Sequence, residues 1–152
     1  NFDIKKYAVK LRRRFHKYPE PAFCEFLTAD FIIRELRSFG FNVRFGNDVM
    51  DVKKIIGLPN SETLNKYLKL AIKRGANKDI VELLNDGKTG IVADIKGKKE
   101  GNKTIAFRFD MDANLINESN DLTHRPILNK FSSRFFILNP PKKFFKNLDL
   151  NP

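Results

Sequence analysis

Tryptophan is absent from this 152-residue chain, cysteine occurs once, and histidine occurs twice, at His16 and His124. The single thiol, Cys24, excludes an intrachain disulfide and fits a reducing compartment, so a cytoplasmic location is expected. Apolar runs are short as well. The longest, such as residues 135–138, fall far below the roughly 18 residues that a membrane-crossing helix requires, so no membrane partner is expected. No secretory signal pattern is present, and a first residue of Asn1 instead of methionine leads us to expect that some N-terminal residues were removed or left out. Glycine stops at Gly101, and no internal repeat occurs.

What the chain does contain is apolar and basic. Hydrophobic residues make up 41% and phenylalanine occurs 15 times, which supports a packed core in a chain the size of one ordinary domain. A domain of this length buries roughly two thirds of its unfolded surface. Twenty-nine Lys and Arg against 18 Asp and Glu give a net charge of +11, which favours solubility and weak attachment to anionic surfaces but is silent on fold.

Periodicity supplies the elements. Ile4, Ala8, Leu11 and Phe15 recur at helical spacing beside a basic face of Lys10, Arg12, Arg13, Arg14 and Lys17, predicting an amphipathic helix that the Tyr18-Pro19-Glu20-Pro21 run ends. A second helix is predicted over residues 24–39, with Phe26, Ala29, Ile33 and Leu36 on one face and Gly40 as its stop. Phe41, Val43 and Phe45 then alternate as a strand. Residues 47–86 read as a helical insert, with Asn60 or Ser61 capping a helix that carries Leu64, Tyr67, Leu68, Ala71 and Ile72, and a shorter apolar patch of Ile80, Val81, Leu83 and Leu84 after it. A strand over residues 90–96 should turn back through residues 97–101 into a hairpin partner.

That partner carries the candidate chemistry. Ile105, Phe107 and Phe109 alternate with Ala106 and Arg108, so residues 104–109 read as a buried strand that delivers Asp110 and Asp112 just past its C-terminal end. Ligands collect at that edge of open α/β sheets. Two carboxylates so placed can orient a hydrated cation or cap a polar turn, and the spacing leaves both readings open. Glu118 falls in the following loop, where it bonds locally or solvates. His16, beside Arg12 and Arg13, reads as a surface residue, and Cys24 as a small buried one with no identifiable partner base.

The blocks LRRRFHKYPEPAFCEFLTADFIIRELRSFGFNV, GLPNSETL and KTGIVADIKGKKEGNKTIAFRFDMDA, then HRP, stand in that order. Together they resemble the N-terminal part of a metal-dependent amidohydrolase family that includes aminoacylases, hippurate hydrolases and aminoacyl carboxypeptidase relatives. The insert narrows the resemblance to the branch that cleaves p-aminobenzoyl-glutamate. It covers residues 2–133. The resemblance implies an α/β fold, the N-terminal portion of a zinc-peptidase-like catalytic domain with an incomplete sheet. It also implies a zinc or manganese pair that polarises an amide carbonyl and activates a bridging water, acting on N-acyl or N-aroyl amino acids. On the same resemblance Asp112 takes the acidic position that supports the metal site. Asp110 stands where more distant relatives have a metal-binding histidine but this branch already has Asp, so it is not assigned as a ligand. Asp112 and Asp110 are thus the candidate catalytic residues and His124 the candidate pocket lining, with no metal ligand assigned.

Beyond residue 133 the family continues into a loop of the pattern HACGHDGH, whereas this chain reads Arg134-Phe135-Phe136-Ile137-Leu138-Asn139-Pro140-Pro141-Lys142-Lys143. Residues 134–152 form a divergent basic tail without helical or strand period, as a truncated or frameshifted product or one piece of a split enzyme would show. Two histidines and one cysteine far apart do not readily build two metal shells. The chain alone is therefore expected to bind no metal and to be inactive, and its expected partner is a complementing C-terminal half or second subunit. A second reading is a small basic module for nucleic acid or an acidic protein partner, whose binding would weaken steeply with salt. The basic run lacks a nucleic-acid motif, so nucleic acid is not the expected partner.

Overall fold

The computed structural model describes residues 3–98, 101 and 103–115. Asp3 opens helix α1 (Ile4–Lys17), its carboxylate accepting from the Lys6 amide at 3.0 Å. The apolar face of α1 is only half used: none of its residues is buried, and Ile4 is 63% exposed. Ring contacts hold it instead. Phe15 meets Phe31 edge-on at 5.6 Å, the Arg14 guanidinium lies 4.2 Å over the same ring, and the Tyr7 hydroxyl donates to the Glu35 carboxylate.

Helix α2 (Phe26–Ser38) is the centre of the core. Phe26, Ala29 and Ile33 are buried on the expected face, and Leu27, Thr28 and Asp30 are buried too, so its first half is enclosed on all sides. Asp30 is tolerated there because Arg34, one turn on, pairs with it at 2.6 Å. Gly40, at φ +83°, supplies the left-handed stop.

Residues 47–86 fold, after two short 3-10 turns, into α3 (Ser61–Lys73) and α4 (Lys78–Leu83). Asn60 caps the first by accepting from Thr63 N at 2.9 Å, and Asn77 caps the second from Asp79 N and Ile80 N at 2.9 and 3.2 Å. Of the twelve buried apolar residues among those described, six (Leu64, Ala71, Ala76, Ile80, Val81 and Leu84) come from this segment, so it closes the core around α2. Strand β1 (Asn42–Phe45) pairs antiparallel with β2 (Ile91–Asp94), Asn42 opposite Asp94 and Phe45 opposite Ile91. Val43 and Phe45 face inward as the alternation predicts, while Arg44 meets Asp94 outside at 3.4 Å. Among the described residues no helix is long and apolar enough to cross a membrane.

One expectation is corrected. Residues 103–109 form no strand: among the described residues β2 pairs with β1 in a sheet of two strands, and the expected turn at 97–101 lies partly outside the described residues. Ile105, Phe107 and Phe109 are 79%, 78% and 81% exposed. Alternation states which side chains would share a face, but burial also needs a neighbouring ladder and a layer over that face, and the described residues supply neither.

Gly46 and Gly57 both hold left-handed backbone, at φ +64° and +79°, but a Cβ on Gly46 would lie 2.5 Å from the Leu83 carbonyl oxygen while one on Gly57 meets nothing within 4 Å. Gly57→Ala should cost only about 1–2 kcal/mol of backbone strain. Gly46→Ala should cost that plus about 1–3 kcal/mol of overpacking, read as a larger drop in urea midpoint.

Candidate functional site

The turn between α1 and α2 sets up the site. Pro19 and Pro21 bracket Glu20 and keep it out of both helices. Its carboxylate, 2% exposed, accepts from Leu27 N at 3.0 Å and Thr28 N at 2.8 Å. These are first-turn amides of α2 with no partner inside the helix, and the N-cap residue Glu25 makes no side-chain cap bond. Glu20 therefore caps α2 from outside. Between the two glutamates Phe23 sits at φ +62°, in a turn closed by Cys24 N donating to Pro21 O at 2.9 Å.

Relieved of capping, the buried Glu25 carboxylate accepts the Thr89 hydroxyl at 2.7 Å. The loop before β2 fixes Thr89: Lys88 Nζ donates to Asn47 Oδ1 at 2.9 Å, and Gly90 N to the Met50 sulfur at 2.9 Å. From the other side Ala113 N donates to the Glu20 carbonyl at 2.8 Å, which brings Asp112 up to this cluster. Burial pushes the Glu25 carboxyl above its usual range; the Thr89 bond and local amides pull it partly back, and the Asp112 charge adds to the rise. Burial likewise raises Glu20 against the pull of its bonds from Leu27 and Thr28. The Cys24 thiol, buried and beside Glu25 and Glu20, is pushed up to about 11 and stays protonated, as a small buried residue should.

The sequence candidates are placed unequally. Asp112 and Asp110 are both exposed: Asp112 adjoins Ala113, whose amide bonds the Glu20 carbonyl, while Asp110 accepts from Arg108 Nη2 at 2.7 Å. His16 is exposed on α1. Glu118 and His124 lie outside the described residues. Sequence reasoning missed Glu20, Glu25 and Thr89; the available signal was a glutamate held between two prolines ahead of a strongly apolar helix.

No protein-family model matches the chain. One of the subunits named for p-aminobenzoyl-glutamate hydrolase in Escherichia coli strain K12 is 36% identical over 133 residues, and the indole-3-acetyl-aspartic acid hydrolase of Enterobacter agglomerans is 37% identical over 122 residues. The crystal structure of an aminobenzoyl-glutamate utilization protein from Klebsiella pneumoniae superposes with a TM-score of 0.66 at 34% identity. The chain is a homologue of these hydrolases. Its matched part is 86% and 80% of this chain against the two curated relatives, but only 30% and 28% of their own lengths; for the crystal structure the shares are 71% and 28%. The hydrolase homologue thus matches about three tenths of each relative.

The raised Glu25 carboxyl gives this homologue a definite pH response. Above the ordinary glutamate value of 4.5 the unfolded chain releases its proton while the folded chain still holds it. The stability from this group is full below that value and declines as pH rises through the folded value. Glu25→Gln, whose amide oxygen can still accept from Thr89, should flatten the fall in urea midpoint between about pH 4 and about pH 8.

Proposed function

We propose that this chain is the N-terminal part of the catalytic domain of an amidohydrolase acting on an acyl or aroyl group joined to an acidic amino acid. The observation that carries this reading is identity of 36% and 37% to two hydrolases whose named substrates, p-aminobenzoyl-glutamate and indole-3-acetyl-aspartate, share that one bond type. In both, an aromatic acyl group is amide-linked to an α-amino acid bearing a second carboxylate. Asp112, adjoining the Ala113 amide that bonds Glu20, is the acidic group we assign to the reacting centre, with Asp110 beside it. His124 is assigned to pocket lining on the resemblance of its sequence block alone.

The family resemblance implies a divalent metal, zinc or manganese. The donors in hand do not fit one: among the described residues no three His, Cys, Asp or Glu are grouped so as to hold a metal ion, and the Glu20 and Glu25 carboxylates are already engaged by amide and hydroxyl donors. No step is therefore assigned to a metal on these residues. The remaining donors, and the covering for Ile105, Phe107 and Phe109, are assigned to a complementing C-terminal part or second subunit, in keeping with a relative whose name makes it one subunit of its enzyme.

The chain alone, supplied with zinc or manganese, should not release p-aminobenzoate from p-aminobenzoyl-glutamate above background. Substituted for the matching segment of the Escherichia coli relative, residues 1–133 should support that release. Asp112→Asn in the chimera should then lower kcat at least about a hundredfold, the scale of an electrostatic or acid-base role, and Asp110→Asn should cost less. Turnover by the chain alone, or a folded chimera without activity, would overturn the reading.

A further inference from the structure

We propose that Glu20 is a positioning residue with two working ends, which fixes Asp112 against the N-terminus of α2 and Glu25. This rests on the assignment of Asp112 to the reacting centre. The side chain spends both carboxylate oxygens on α2, through Leu27 N at 3.0 Å and Thr28 N at 2.8 Å. The main-chain carbonyl of the same residue receives Ala113 N at 2.8 Å. Ala113 is covalently next to Asp112, so the Asp112 Cα sits about 3.8 Å from a residue tied to the helix.

The surroundings explain why one residue does both. Pro21 restricts Glu20 to extended backbone, which turns its carbonyl away from any helical ladder and leaves it open to an amide from elsewhere. Being 2% exposed, Glu20 gives Ala113 N an acceptor shielded from competing water. The segment it catches is otherwise loosely held, since Ile105, Phe107 and Phe109 just before it are all more than three quarters exposed. Glu25, bonded to Thr89, feels the Asp112 charge, and Glu20, Cys24, Tyr67 and Arg74 are the other charged or titratable groups around that corner. A residue that only capped α2 would leave the position of Asp112 to chance; the carbonyl bond removes that freedom.

Amide hydrogen exchange on the whole chain separates the two roles. Glu20→Ala should speed exchange at Leu27 and Thr28 by roughly three- to tenfold, as for loss of one net hydrogen bond each, and should also speed it at Ala113, whose acceptor carbonyl stays in place but loses its side-chain anchor on α2; Glu20→Gln should recover part of the protection. A second readout is the titration of the Glu25 carboxyl by carbon NMR. Asp112→Asn should lower the Glu25 midpoint in the native chain, and that response should shrink when Glu20 is Ala. Should Glu20→Ala fail to fold, Ala113→Pro removes the bond to the Glu20 carbonyl, which the alanine substitution leaves in place. It should leave Leu27 and Thr28 protected and abolish the Glu25 response to Asp112→Asn. Unchanged Ala113 exchange in a folded Glu20→Ala chain, or an intact Glu25 response in Ala113→Pro, would overturn the proposal. Neither readout needs turnover, so an inactive chimera beside a confirmed tie would reject the hydrolase reading and leave the tie standing.

Discussion

A buried carboxylate against the open end of a helix is the constraint from which the rest of this molecule follows. Burying Glu20 without partners would cost several kcal/mol. It is offset by two first-turn amides of α2, which carry the positive end of the helix dipole and would otherwise lack acceptors in a dry place. With its end satisfied, α2 can enclose Phe26, Leu27, Ala29 and Ile33 on all sides. The insert helices and β1 pack on that enclosed turn, and β2 is held in place by β1. Cap, helix, core and sheet therefore form one dependency, and removal of the first weakens each of the others.

The sheet is where that dependency stops. Ile105, Phe107 and Phe109 carry the alternation of an interior strand, yet each forgoes the roughly 1.5–3 kcal/mol that full burial would contribute. Pattern and environment come apart here because a strand is stabilised by what lies beside and above it, and a helix mostly by what lies along it. The related crystal structure has more than twice as much chain outside the matched region as inside it, since the match covers 28% of it. An extended segment with two apolar faces is suited to the middle of a sheet larger than the two strands described.

How much could be read from the residues follows the same division. The cap of α3 at Asn60, the stop at Gly40 and the apolar stripe of Leu64, Tyr67, Leu68, Ala71 and Ile72 are local signals, and each appears where the spacing places it. The alternation of Val43 and Phe45 marks the inward face of β1 in the same way, while Phe41 falls just before the strand. The Glu25–Thr89 bond joins positions 64 apart, and the bond from Ala113 to Glu20 is longer-range still, so no window of neighbouring residues could disclose either. The insert misleads for a related reason. Its length looks superfluous beside a short connection, but a stripe of six buried side chains has to be covered by something, and α2 covers it.

The charge of the chain and the charge of the site point in opposite directions. A net +11 suggests an anion-seeking surface, yet Glu20, Glu25 and Asp112 bring three carboxyl groups to one corner. Several basic groups are engaged elsewhere: Arg34 on Asp30, Lys88 on Asn47 and Asp86, Arg108 on Asp110, and Lys17 and Arg74 over the Tyr18 ring. Burial is the largest influence raising the Glu25 carboxyl above its usual range, and the Asp112 charge adds a smaller part in the same direction. Screening at ordinary ionic strength confines the distant lysines to a range of about 8–10 Å, so the sum over the surface does not reach this corner. The sign of a reacting centre is set by the groups that face it. Here those groups are two buried carboxyls and a threonine hydroxyl, and burial, more than any neighbouring charge, sets the direction in which Glu25 titrates.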